Sequence, residues 1–573
     1  MRGRQPCKEE KRMRGSLKFV GLAVLFSALA ACGGGSGGGT PPTQPAPPSQ
    51  PAPPSEPVPP LMLVASTPAT GATSVPCDVV PVLDFSGNLD STTVVPANIT
   101  LASGSINQAI TLSVSDAQVT VTPAQKLTPA VSYTLTASTA VKGSKGEVLA
   151  SPASITFGCD GRWQTAGTID SDDVADAGTV KVAFDTSGNA IAVWAQSDGT
   201  HETIWSNRYT PGTGWGTPAQ VQTSTEDSNA PAIIIDSTGN ALAVWDGTPD
   251  GVNVYIYASR YTAAAGWSAE VQISGPTAQS GTTDIAGDAN GEAVALWVQF
   301  DGAQNSVWSA HYTVAGGWSP SVAVGNGAGA ARSSRLAMDA DGNVLTVWAQ
   351  SDGTRNNIWS NRYDAVTGWG AAALIETDDA GTAAFPRVKF DSHGNAIAVW
   401  FQSNGTVATI RSNRYVAGAG WGSAIPIENV HAGDAGLARL AVDPSGDAIV
   451  VWEQSDGARV SIWSNRYSTG SGWGTETMIQ PTPAGDAAEP WVDIDSHGNA
   501  LTVWTQSDGT HTTIWGNRYL AGTGWGTAGP IETNTTSDAS AASVVMDANG
   551  AALAVWEQVD AGRDNIWANR FDF

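Results

Sequence analysis

Positive charge and thiols are scarce in this chain. Its 573 residues hold 28 Lys and Arg against 53 Asp and Glu, with four cysteines and six histidines. From Asp160 onward the imbalance sharpens to 18 against 45, and Lys181 and Lys389 are the only lysines there. A surface of that sign repels a phosphate backbone and offers no basic stripe, which excludes nucleic-acid binding. No two histidines stand four apart and no cysteine accompanies them, so neither a zinc site nor any other metal is expected. The one Gly-x-Ser-x-Gly match, residues 34–38, lies in a glycine spacer without the strand-to-helix context a nucleophile needs. No cofactor motif stands out. Charged residues are only 14% of the chain, while Gly (64) and Trp (23) are abundant, which favours short strands and tight turns over helices.

What the sequence does contain is repetition. The clearest copy reads Val388-Lys389-Phe390-Asp391, then Ser392-His393-Gly394-Asn395, then Ala396-Ile397-Ala398-Val399-Trp400. Ser412-Asn413-Arg414-Tyr415 and Gly420-Trp421-Gly422 follow. The same Trp recurs at 194, 245, 297, 348, 400, 452, 504 and 556, in steps of 51 or 52 residues. That period is too long for a solenoid coil and suits a four-stranded propeller blade. In the fifth copy the strands are expected at 386–391, 395–402, 410–415 and 421–427. Asp at the first turn, as in Asp185 or Asp391, can accept backbone N–H groups, which explains its presence in every copy without catalysis. The lone strand 163–169, opening on Trp163, is expected to complete the last blade beside 566–571 and so leave no open sheet edge. The expected fold class is all-β, with an eight-bladed propeller over 160–573.

The N-terminus reads as an export signal. Arg12, Arg14 and Lys18 precede an apolar run at 19–29 that is too short to span a bilayer. Met13 could also start translation. The run ends in Leu29-Ala30-Ala31-Cys32, which resembles a bacterial lipobox. The resemblance implies a signal peptide over 1–31 and lipidation of Cys32, hence a membrane partner, and Gly33 after it implies the outer membrane. Residues 32–60 form a Gly/Pro-rich linker whose proline arm extends about 60 Å at about 3.1 Å per residue. Two further thiols, Cys77 and Cys159, are expected to pair in an oxidising compartment, with Cys77 opening a strand that runs to Phe85.

Residues 61–159 alternate as short strands between turn residues. Pro68-Ala69-Thr70-Gly71-Ala72, Phe85-Ser86-Gly87-Asn88-Leu89-Asp90 and Tyr133-Thr134-Leu135 resemble the bacterial Ig-like domains of the S-layer-associated type. That resemblance implies a β-sandwich spacer. The blade rhythm loosely resembles tectonin-type lectin propellers, which implies a glycan or an envelope protein as partner. The periodic tryptophans and the recurring Arg of Asn-Arg-Tyr are expected to pack blade on blade. Departures from the pattern therefore supply the ligand-binding candidates: Asp246, Tyr257, His311 and Arg411. The chain is expected to be a lipid-anchored recognition or adhesion protein and not an enzyme. The alternatives are a periplasmic scaffold without soluble ligand and a propeller-type carbohydrate hydrolase or lyase.

Overall fold

Alternating side chains dictate strands throughout. The computed structural model describes residues 59–572 except 129–130, 171–174, 276–282, 326, 378–380, 430–432, 481–484 and 535. The expected signal peptide, Cys32 and nearly all of the linker lie outside the described residues. Among the described residues no helix is long and apolar enough to cross a membrane. The protein is all-β, and its described residues form ten separate sheets.

Two sheets form the N-terminal sandwich. One orders Leu63–Thr67, Val82–Phe85, Gln118–Pro123 and Ile110–Ser115; the other orders Ala72–Pro76, Ala153–Asp160, Ser132–Ala137, Ile99–Ser103 and Ile106–Asn107. Leu83, Leu101, Val119, Leu135 and Phe157 fill the space between them, each at most 1% exposed. Cys77 and Cys159 are disulfide-bonded, with Cα atoms 4.9 Å apart. Cys77 does not open a strand running to Phe85, however. It follows Ala72–Pro76, which pairs in parallel with Ala153–Asp160, and the chain then turns before Val82. Pro76 and Pro81 supply no ladder N–H, so the expected continuous strand breaks between them.

The other eight sheets are the eight sequence repeats. In the fifth, Ala383–Phe390, Ala396–Ser403 and Ala408–Val416 pair antiparallel in that order. The expected fourth strand is two short pieces, Gly420–Trp421 and Ile425–Pro426, both on the third strand. The break is bridged by Asn413, whose Nδ2 donates to Gly422 O (3.1 Å) and to Ile375 O (2.8 Å) of the preceding repeat. Asn207, Asn361, Asn465, Asn517 and Asn569 make the second of these bonds at equivalent places. At the first turn, Asp391 Oδ1 accepts the N–H groups of His393 (2.8 Å) and Asn395 (2.9 Å). Gly394 follows at φ 74°, a left-handed conformation natural to glycine.

The eight recurring tryptophans are at most 1% exposed. Each packs against the preceding sheet: Trp452 joins Ile397, Val399 and Ile410. By area, such a side chain contributes about 3 kcal/mol. The indole N–H still needs an acceptor, and Trp400 Nε1 donates to Gln402 Oε1 at 3.0 Å, a pair made in seven of the eight repeats, the second having Gly247 in place of the Gln. The series of sheet contacts returns on itself. Trp194 of the first repeat packs with Leu553, Val555 and Ile566 of the eighth. Arg414, Arg466 and Arg518 each stack on the aromatic ring of the next repeat, and Arg570 of the last repeat stacks on Tyr209 of the first, 5.0 Å from its centroid. Arg162–Trp163 and Gly167–Thr168 pair with the last strand, placing Trp163 opposite Phe571 and Thr168 opposite Trp567.

Candidate functional site

Eight equivalent positions on the first strands differ in chemistry from copy to copy. Four residues before each turn aspartate stand Lys181, Ala232, Asp284, Arg335, Arg387, Arg439, Trp491 and Ser543. Their register is the same throughout: each faces a Val or Leu of the second strand, from Lys181 opposite Val193 to Ser543 opposite Val555. Identical backbone position therefore carries four cations, one carboxylate, one indole and two small residues.

These residues meet across the molecule. Lys181 Nζ of the first repeat lies 5.8 Å from the Trp491 ring centre, and the Arg439 guanidinium lies 4.7 Å from it. Lys181 also feels the charges of Arg439, Glu557, Arg335 and Asp284, and Arg387 those of Arg439, Arg335 and Asp284. Residues of the first, third, fourth, fifth, sixth and seventh repeats therefore lie within electrostatic reach of one another. All four cations retain some solvent contact while protein surrounds them. Burial, reinforced by Arg439, draws Lys181 down to about 8. Burial likewise draws Arg439 down to about 10 and Arg387 well below the guanidinium range. A guanidinium nonetheless keeps its proton in a protein, so the shifts express free energy that the fold gives up to hold these charges together.

Local partners do not neutralise the cluster. Lys181 Nζ, Arg335 Nη1 and Arg387 Nη1 donate to the backbone carbonyls of Val180, Ser334 and Pro386. The Nε and Nη1 atoms of Arg439 are buried and donate to nothing. Buried donors without acceptors are rare in folded proteins.

A second tier lies two residues earlier on the same strands. Thr179, Ala230, Ser333, Phe385, Leu437, Glu489 and Ala541 all have φ between 45° and 56°, each inside a register shift of its ladder. Left-handed backbone costs a non-glycine residue on the order of 1 kcal/mol. Carboxylates hold several of these bulges. Glu557 Oε1 accepts Thr179 N–H (2.6 Å), Glu453 Oε1 accepts Glu489 N–H (2.6 Å) and Glu489 Oε2 accepts Ala541 N–H (3.0 Å). Burial raises the Glu453 and Glu557 carboxyls above the usual range, and neighbouring Glu489 raises both further. On the fifth repeat the tier is aromatic: Phe385, 44% exposed, stacks on Phe401 at 5.8 Å.

The four sequence candidates sit elsewhere. Asp246 and Tyr257 share the second repeat, on its second and third strands. Tyr257 stacks on Trp245, and burial followed by the Glu226 charge raises its hydroxyl to about 12. His311 is on the third repeat, where it takes the place of the recurring Arg and stacks on Tyr363 at 4.0 Å; burial draws it to about 4. Arg411 occupies the third strand of the fifth repeat, opposite Trp400 and Pro426. The structure brings Asp246 and Tyr257 into one sheet and leaves His311 and Arg411 on others.

The column four residues before the turn aspartate was not singled out because departures were sought where the repeats mostly agree. The available signal was the column four residues before the turn aspartate, where the copies share no common residue. Trp491, the one tryptophan outside the periodic sets, belongs to it. A separate cavity of about 340 Å³ lies between the sandwich and the seventh repeat, lined by Gly71, Phe157, Asp160, Leu520 and others. Its walls are mainly apolar and backbone. Its carboxylate, Asp160, is paired with Arg518, so it lacks convergent chemistry.

Residues 57–159 match the family model described as "Bacterial Ig-like domain". That match points to an extracellular or envelope setting. No curated protein matches the sequence. Among solved structures, the chain is similar to a protein of unknown function from Dyadobacter fermentans, at 12% identity over 72% of this chain and 99% of that one, with a TM-score of 0.37. It is similar to a PL25 ulvan lyase at 11% identity, covering 65% and 98% of the two chains, TM-score 0.42. An α-L-arabinofuranosidase from Fusarium graminearum matches at 13% identity, covering 59% and 91%, TM-score 0.34. The expectation that the chain is not an enzyme is corrected here, because the similar structures include polysaccharide lyases, sialidases and this glycosidase. At these identities and TM-scores they assign neither reaction nor ligand.

Proposed function

We propose that the repeat region is an eight-bladed β-propeller, set on its Ig-like spacer and lipid-anchored at Cys32 in the outer membrane. Its work is to bind a glycan on the propeller axis. The observation that supports this best is the ring four residues before the turn aspartates. Its backbone positions are equivalent, its side chains are not, and two buried donors of Arg439, a member of that column, have no acceptor. Packing of the sheets does not require that variety, whereas a ligand without eightfold symmetry does. Trp491 in that column, and Phe385, two positions before Arg387 and 44% exposed, supply aromatic rings that suit the apolar face of a sugar.

The test is a glycan array probed with the full chain and with the Phe385→Ala and Trp491→Ala variants. Binding that both variants lose supports the axial site; binding that both retain removes it. Protease shaving of intact cells separates an outward-facing protein, which is cut, from a periplasmic scaffold, which survives. A second reading, that the same site hydrolyses or eliminates the glycan it holds, is favoured by the Glu453 and Glu557 carboxyls, which burial biases toward the protonated form beside the cationic ring. New reducing ends or unsaturated chain ends after incubation with polysaccharide would establish it, and their absence across acidic and neutral polymers would remove it.

A further inference from the structure

We infer that the axial site takes a multiply anionic ligand, held through two or more carboxylate or sulfate groups by Lys181, Arg335, Arg387 and Arg439. This rests on the reading that the axis is the ligand site and names the chemistry that site selects.

Three observations carry it. First, the cations are concentrated where they are least expected. Residues 160–573 contain only 18 Lys and Arg, yet four of them occupy one column of eight positions, with Asp284 as the single acid in that column. Second, the four cations outnumber the one acid at their own level, Asp284, which acts on Lys181 and Arg387. Among the described residues none of the four forms a salt bridge, and three satisfy one donor each with the carbonyl of the residue before them. Arg439 Nε and Nη1 are buried without an acceptor. Third, the second-tier carboxylates do not fill those donors. Glu453, Glu489 and Glu557 are each engaged by a bulge N–H of the following repeat. Arginine presents a planar fork suited to two-oxygen groups, and three adjacent repeats present three such forks side by side. One negative charge would leave most of this positive field unanswered; two or three would match it. The acidic remainder of the surface works against long polyanions, so the ligand is short or presents an end to the axis.

The test titrates the full chain with trigalacturonate, its neutral methyl ester and inorganic sulfate, following heat of binding and melting temperature. Trigalacturonate is expected to bind one per chain and to raise the melting temperature, with affinity that falls as salt is added. The methyl ester is expected to bind at least about tenfold more weakly, and Arg439→Gln and Arg387→Gln each to lower acid affinity by about tenfold. Arg414→Gln, which removes an outer stack on Tyr467, leaves binding unchanged. Sulfate that competes with the sugar acid but binds as tightly alone marks the site as one for free anions, which retains the charge inference and discards the saccharide. Ester and acid binding equally, with Arg439→Gln silent but Phe385→Ala damaging, overturns the anion inference and keeps the axial site. Binding insensitive to Phe385, Trp491 and Arg439 alike removes both. No binding by the acid or sulfate at millimolar concentration also overturns the inference. The wild-type melting shifts need no variant to fold.

Discussion

A site built from uncompensated charge should cost the empty protein stability, and Arg439 measures that cost. Arg439→Met keeps the length and most of the apolar stem while removing the charge. Two unit charges about 8 Å apart repel by about 2 kcal/mol at an effective dielectric of about 20. Arg439 faces at least Arg335, Arg387 and Lys181 in this way. Opposing this are the charges of Glu453 and Glu489 and the stack on Trp491, the latter about 1 kcal/mol. The two unsatisfied donors add about 1–3 kcal/mol each to the gain from their removal. Allowing for lost packing and the Glu attractions, Arg439→Met is expected to stabilise the ligand-free chain by about 1–3 kcal/mol, the range seen when buried charge gives way to apolar residues. Urea unfolding of wild type and variant, followed by tryptophan fluorescence, measures it, and repeating the comparison in high salt should shrink the gain. A variant less stable than wild type by 1 kcal/mol or more would show Arg439 to be a structural prop, and the uncompensated ring would no longer call for a ligand.

Three further expectations concern the frame. Burial raises Glu532 to about 8 and Glu428 to about 7, the latter although Glu428 Oε1 accepts the Ile410 N–H at 2.6 Å. A folded pKa above the unfolded value of about 4.3 means the folded state holds the proton more tightly, so this contribution is full below pH 4 and is lost as pH rises through 7 to 8. Glu532→Gln and Glu428→Gln should flatten that decline in melting temperature; Gln222 and Gln480 already make the same bond in other repeats, and an unchanged slope would refute the assignment. Reducing Cys77–Cys159, which are 82 residues apart in sequence, should cost the sandwich about 2–5 kcal/mol, read from the urea midpoint of its unfolding with and without reductant. Trp163→Ala removes a ring 5.4 Å from that of Phe571 and should loosen the strand that joins the two ends of the repeat region, lowering stability by about 2–3 kcal/mol and exposing the last strand to protease; unchanged proteolysis would refute that role.

The frame was legible in the sequence because its demands repeat. Asp391 and its seven equivalents, the buried Trp within the second strand, and Asn-Arg-Tyr each solve one local problem eight times or nearly so. A turn needs an acceptor, an interface needs area, and a broken strand needs a side-chain bridge. The Asn bridge itself was not foreseen, because it acts between consecutive repeats and its acceptor is a backbone carbonyl 38 residues away. The Cys77 strand was misplaced because hydrophobic alternation from Val79 to Phe85 does not reveal that Pro76 and Pro81 interrupt the ladder.

The site was less legible for a physical reason. These residues approach one another although they stand on six different repeats, and that proximity has no sequence signature. Lys181 and Arg439 are separated by about half the chain, yet share the Trp491 ring. Nothing in the neighbourhood of either residue announces the other. What the sequence does carry is a column freed from the repeat. At the turn aspartate, packing and hydrogen bonding allow one answer. Four residues earlier the same backbone position tolerates Ala, Ser, Asp, Lys, Arg and Trp. Tolerance alone would scatter small and polar residues at random. It would not be expected to gather three arginines on adjacent repeats and a lysine near enough to feel two of them, in a chain that otherwise avoids positive charge. The free energy this arrangement sacrifices is the strongest reason to look for an anion that restores it.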